Sequence, residues 1–206
     1  MATHRTAGAA LFLGGLTYFI ANGPLTLALP NPEDWTALFA SQAFLARLSV
    51  AIVSVFLLLA GALGVFARQK DRVGAFGKLS FVLLFAGSMS TFAHEWGQVF
   101  FLHPLAQAAP EGLQALEDIE GANLYDVEAM IALGGFMLGW MLFSASMLFA
   151  RVFRPLGPGL VLAGLFLTPV LAALLPGFWG FMAGNAVLAL GWMAMGRDLF
   201  SGRSRA

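Results

Sequence analysis

The third long apolar segment of this chain carries Ser88, Thr91, His94, Glu95 and Gln98, the densest polar cluster within its apolar stretches. Steps of three and four residues put these side chains on one helical stripe. A histidine next to a carboxylate can hold a ligand, pass a proton or work as acid and base. The same groups can also bind neighbouring helices together. Counted from Lys78, His94 lies about 24 Å along a helix rising 1.5 Å per residue, in the outer third of a hydrocarbon layer about 30 Å thick. An ionised side chain at that depth must face the bundle interior or an aqueous vestibule.

Other polar residues fall at the same depth. Asn22 precedes Gly23-Pro24, where the proline removes a helical hydrogen bond. Arg47 stands near the start of the second apolar segment, and Tyr125, Asp126 and Glu128 at the start of the fourth. Tyr18 is at a compatible height. The expected site is an outward-opening polar pocket in which Arg47 pairs with Glu95 and His94 stands beside them. Asn22, Thr91, Gln98, Asp126 and Glu128 complete the expected ligand-binding set, and Asn185 is a weaker candidate that suits an interhelical hydrogen bond.

No metal or cofactor is expected. The motif H-E-x-x-H needs its histidines at i and i+4, whereas His94 and His103 are nine residues apart. His94 with Asp126 or Glu128 has the ligand types of a zinc site but no motif. No second segment offers a histidine to share a haem with His94. The acids Glu117, Asp118 and Glu120 lack the spacing of a calcium loop and read as a solvated surface.

The elements that must position these residues follow from composition. The chain has 206 residues, 59% hydrophobic and only 11% charged. Soluble domains carry about 25% charge, so too little polar surface is present to wrap a soluble core. Six segments approach the roughly 20 apolar residues of a transmembrane helix: 7–29, 43–66, 79–102, 127–149, 159–175 and 178–196. The predicted fold is an all-α polytopic bundle of six spans forming one domain over 1–206, with a long outer loop at 103–126. Open sheets are excluded because lipid cannot satisfy their edges. The basic start and the small residues at 21–23 resemble a secretory leader, but the apolar run continues to Leu29, so this segment is expected to stay as the first span. Pro110-Glu111 suggests a surface helix to about Ile119, ended by Gly121.

Charge sets the orientation. Arg5, Arg68, Lys70, Arg72, Lys78, Arg151, Arg154, Arg197, Arg203 and Arg205 fall on one side of such a bundle, and Arg47 alone among the basic residues falls on the other. The positive-inside rule then places both termini in the cytoplasm. Nine of the eleven acids lie away from the basic side, all but Asp71 and Asp198. The net charge is zero, so no nucleic-acid partner is indicated. Without cysteine, disulfides and thiolate chemistry are excluded. Phe66-Ala67-Arg68 and Phe149-Ala150-Arg151 each close a span before a basic loop, a hint of a repeated hairpin. Trp96, Trp140, Trp179 and Trp192 read as interfacial or packing aromatics, and Gly134, Gly135, Gly139, Gly184 and Gly191 as sites of close helix contact.

Two stretches carry a resemblance. Arg5-Thr6-Ala7-Gly8-Ala9-Ala10-Leu11-Phe12-Leu13 and Leu148-Phe149-Ala150-Arg151-Val152-Phe153-Arg154-Pro155 resemble a group of uncharacterised small bacterial membrane proteins with about six spans. That resemblance implies topology and a bacterial inner membrane, and it supplies no catalytic residues. The expected role is non-enzymatic: binding of a small or lipid-like ligand, or service as an accessory subunit of a membrane complex. The bilayer is the first partner, with a second membrane protein or a further copy of the chain as candidates. The rivals are an intramembrane enzyme using His94 and Glu95, and an oligomeric transporter of small solutes.

Overall fold

The computed structural model describes residues 2–30, 34–117, 124–176 and 178–202. All regular structure among them is helical, as the need to satisfy backbone groups in an apolar solvent requires. In chain order the helices are α1 (Ala2–Asn22), α2 (Trp35–Ala40), α3 (Gln42–Gln69), α4 (Gly74–Gly97), α5 (His103–Ala108), α6 (Pro110–Glu117), α7 (Leu124–Ala150), α8 (Leu156–Leu174) and α9 (Trp179–Phe200). One 3-10 turn, Thr26–Ala28, follows α1, and one π turn, Gln98–Leu102, joins α4 to α5.

Five helical stretches are long and apolar enough to cross a membrane: His4–Ala28, Gln42–Gln69, Gly74–Ala108, Leu124–Ala150 and Leu156–Leu174. The segment predicted as the sixth span, 178–196, corresponds to α9 and is not among them. At 22 residues α9 is long enough, but Asn185 and the glycines 180, 184, 191 and 196 dilute its apolar character.

The structure changes the predicted connections. Gly23-Pro24 breaks the first helix rather than bending it, because α1 stops at Asn22 and the chain resumes as the 3-10 turn. The 30–42 segment contains α2, capped by Asp34, whose carboxylate accepts from the Ala37 amide at 2.8 Å. Ser41 then caps α3, accepting from Ala43 at 3.2 Å. The 103–126 segment is helical rather than a loop where it is described, since α5 and α6 occupy its first part and α7 begins at Leu124. The end of the predicted surface helix, with Asp118, Ile119, Glu120 and Gly121, lies outside the described residues, as do Glu33, Gly177, Arg203 and Arg205. The two Phe-Ala-Arg turns are built differently. Arg151 itself takes a left-handed φ of 53°, whereas the helix through Arg68 runs on to Gln69 and the left-handed residue is Gly74.

The six long helices form a closed ring in chain order. Each of α1, α3, α4, α7, α8 and α9 packs on the next, and α9 returns to α1. Lipid gives helices no hydrophobic reason to associate, so close packing at small residues must do so. A Cβ added at Gly61 would lie 2.5 Å from the Leu11 Cβ, at Gly8 2.5 Å from the Phe200 nitrogen, at Gly87 2.2 Å from the Gly135 carbonyl carbon, and at Gly184 2.4 Å from the Thr168 Cα. These contacts close the α1/α3, α1/α9, α4/α7 and α8/α9 seams. Among the described residues no glycine makes such a contact across α3/α4 or α7/α8. The ring therefore consists of a tight four-helix unit and a tight pair, meeting at two looser seams.

A continuous core fills the half of the ring nearer the basic turns. Trp140 and Trp192 pack edge-on at 5.1 Å, with Phe136 and Phe143 against them. Trp96 and Trp179 are exposed. At the opposite end Phe39, Phe44, Leu48, Ala106 and Leu113 join α2, α3, α5 and α6 in a small apolar cap. His103 Nδ1 meets the Phe39 carbonyl at 2.5 Å and holds α5 to the end of α2.

Candidate functional site

Toward the acidic end, between the aromatic core and the small apolar cap, is a cavity of about 210 Å³. Every long helix contributes to its wall. Tyr18 and Asn22 come from α1, Arg47, Ala51 and Val55 from α3, and Thr91 and Glu95 from α4. The far wall is Leu133, Phe136 and Met137 of α7, Leu165 and Thr168 of α8, and Phe181, Asn185 and Leu188 of α9.

Arg47 is the centre of the polar wall. Its Nη1 stands 3.7 Å from Glu95 Oε2, and its Nη2 donates to Asn22 Oδ1 at 2.9 Å. Asn22 in turn donates from its side-chain amide to the Tyr18 carbonyl one turn earlier, at 3.2 Å. The Tyr18 hydroxyl donates to Asn185 Oδ1 at 2.9 Å, and the Asn185 amide donates to the Phe181 carbonyl at 2.9 Å. This network runs from α3 through α1 to α9. Thr91 shares its hydroxyl between the Gly87 and Ala132 carbonyls at 3.0 and 2.9 Å, tying α4 to α7.

One polar atom of the wall is left over. Glu95 Oε2 is buried and has no hydrogen-bond partner among the described residues. At 3.7 Å the guanidinium attracts it electrostatically without forming a hydrogen bond. A buried acceptor left in this condition is costly and suits a donor arriving with a ligand. On α8, Pro169 has no N–H to give the Leu165 carbonyl, which therefore lacks its usual helical partner.

The expected site residues divide between two places. Asn22, Arg47, Thr91 and Glu95 line the cavity together. His94 does not, because consecutive helical residues point about 100° apart. While Glu95 faces the cavity, His94 turns to α7, where its Nδ1 meets Glu128 Oε2 at 2.5 Å and its ring lies 5.4 Å from that of Tyr125. The His94 side chain is 7% exposed and that of Glu128 47%, so this pair links the buried stripe to the surface. Gln98 is buried at the start of the π turn, and Asp126 is half-buried on α7. Neither lines the cavity. Among the described residues no three His, Asp or Glu side chains gather closely enough to hold a metal.

The sequence reading gave Tyr18 and Asn185 minor places, and both lie in the network. It passed over Thr168 and the apolar wall. The Thr168-Pro169 step was a usable signal, since a hydroxyl and a helix-breaking residue fall together inside an apolar span. Phe136, Leu188 and Met137 carried none, because an apolar side chain in a membrane helix looks alike whether it faces lipid, core or cavity. No known protein family, curated protein or solved structure matches the chain.

Proposed function

We infer that this is a six-span membrane protein with both termini on the basic, cytoplasmic side, and that it binds a small polar or amphipathic molecule in the central cavity without transforming it. The observation that carries the reading is Glu95 Oε2, a buried acceptor without a hydrogen bond, beside Arg47 in a cavity walled by all six long helices. Ionisable groups inside a membrane bundle are expensive to keep and are functional by default. With α9 as the sixth span, the eight basic residues described outside α3's start gather at one end, and the cavity lies nearer the other.

Size narrows the ligand. A cavity of about 150 Å³ takes one benzene, so about 210 Å³ suits a small molecule or the head of an amphiphile rather than a whole phospholipid. Chemistry narrows it further. A hydroxyl or ammonium would donate to Glu95, an acceptor such as a carbonyl would meet Arg47, and the apolar body would lie on Phe136 and Leu188. Leu133 and Met137 line the cavity yet are 48% and 40% exposed. The looser α7/α8 seam thus gives the ligand a route from the bilayer. Binding is favoured over acid–base catalysis because His94 faces away from the cavity. A transporter is the second reading, supported by the division of the ring into two tight units that meet at the cavity.

Native mass spectrometry of protein purified from its own membrane tests the binding reading. The wild type is expected to carry a small-molecule adduct that Ala51→Leu, which fills the cavity from α3, removes while leaving the chain folded. An identical adduct in both proteins, or no adduct and no thermal stabilisation by any small amphiphile, would count against it.

A further inference from the structure

The α1/α9 seam holds two adjoining recesses at its basic end, remote from the central cavity. The first is an apolar groove of about 350 Å³ walled by Gly8, Ala9, Phe12, Leu13, Gly196 and Phe200, with Arg197 at its rim. The second, of about 530 Å³, lies against His4, Arg5, Arg68, Leu199, Phe200 and the backbone turn after it. Phe200 belongs to both, so the groove leads into the basic recess.

The groove has a clear origin. Gly8 and Gly196 bring two helix backbones into contact, and a Cβ at Gly196 would lie 2.6 Å from the Phe12 nitrogen. The furrow runs alongside this contact, between the larger side chains that flank it, and its rims Leu13 and Phe200 are 47% and 53% exposed. The arginines are available. Arg5 and Arg197 are exposed, and no ion pair is formed by either among the described residues. Arg68 is held in place, donating to the Gly202 carbonyl at 3.0 Å with its guanidinium 5.8 Å from the Phe153 ring centre. The acids of this end, Asp71 and Asp198, line neither recess.

We propose that this seam binds one anionic phospholipid of the leaflet at the basic end, an acyl chain lying along the furrow and the phosphate held by Arg5, Arg68 and Arg197. An apolar furrow that ends among unpaired guanidinium groups is complementary to an amphiphile with a charged head. Basic pockets between membrane helices take such heads, and guanidinium matches phosphate in geometry as well as charge. Free phosphate would use the arginines and leave the furrow empty. A zwitterionic lipid would fill the furrow and gain little from the arginines. The site stands whatever occupies the central cavity.

Titration of the detergent-purified protein with phosphatidylglycerol, phosphatidylcholine or inorganic phosphate, read by native mass spectrometry, separates these cases. Phosphatidylglycerol is expected to bind at a lower concentration than phosphatidylcholine. Arg5→Gln with Arg197→Gln should weaken phosphatidylglycerol roughly thirtyfold, about fivefold for each basic residue at an anionic surface, and leave phosphatidylcholine unchanged. Leu13→Trp, which fills the furrow from an exposed position, should weaken both lipids. All three positions are exposed, so unchanged melting temperatures will show that the variants fold. Equal binding of phosphatidylglycerol by wild type and the double variant overturns the proposal. So does displacement of phosphatidylglycerol by inorganic phosphate with no effect of Leu13→Trp, which marks a plain anion site.

Discussion

Arg47 is the residue on which the polar wall depends. It neutralises Glu95, fixes Asn22 and lies over the Phe44 ring with its guanidinium 5.9 Å from the centre. Removing one member of a buried ion pair costs about 3–5 kcal/mol, because the other is left charged without compensation. Here Arg47 keeps some solvent contact and the pair is long, so the lower end applies. Arg47→Met is expected to destabilise the protein more than Arg47→Met with Glu95→Met, with a coupling of about 1–3 kcal/mol. Unfolding of the four proteins of this cycle in mixed detergent measures it, and additive losses would refute the coupling. Both residues were legible in the sequence. A lone arginine on the acidic side and a carboxylate deep in an apolar run each break a compositional rule, and charge in lipid must be compensated. The direction of His94 was not legible, since helix rotation is set by neighbours.

At the scale of elements, glycine decides which helices hold firmly. Gly87→Ala would drive a methyl into the Gly135 backbone, and such overpacking costs about 1–3 kcal/mol. Gly134→Ala, one residue from that contact on the same α7, meets nothing within 4 Å. It should be neutral or stabilise by about 0.5–1 kcal/mol through helix propensity. Thermal melts of the two variants should therefore move in opposite directions or differ by several degrees, and equal shifts would show that the α4/α7 seam is not tightly packed. The sequence grouped Gly134, Gly135 and Gly139 alike. Only the rotation of α7 against α4 separates Gly139, whose added Cβ would lie 2.5 Å from the Leu84 Cα, from the open Gly134.

For the whole molecule the prediction to test is that α9 crosses the membrane. The chain has no cysteine, so single cysteines can report sidedness without background. Lys70→Cys, Glu111→Cys and Ser201→Cys sample the first basic turn, the acidic end and the end of α9. In intact cells a membrane-impermeant maleimide is expected to label only Glu111→Cys. The other two should react after permeabilisation. Labelling of Ser201→Cys from outside would mean that α9 does not cross, and it would move the basic lipid site proposed at its end. Packing argues for crossing. α9 closes the ring between α1 and α8, and its Asn185 and Gly184 face the cavity network and Thr168 rather than lipid.

The sequence by itself determined that the chain is helical and lives in a membrane, because 59% apolar residues in long runs with 11% charge allow little else. It also determined which residues must be compensated: Arg47, Glu95 and the stripe around His94. Tertiary structure alone decided how they are compensated. It divided the stripe between a cavity and the α7 surface, brought Tyr18 and Asn185 into one network from opposite ends of the chain, and turned the presumed outer loop into a helical cap. The physical reason is that local sequence fixes a helix and its polarity, whereas rotation and neighbours depend on which surfaces approach most closely. In lipid that choice is made by close contacts between glycines and side chains far apart in the chain.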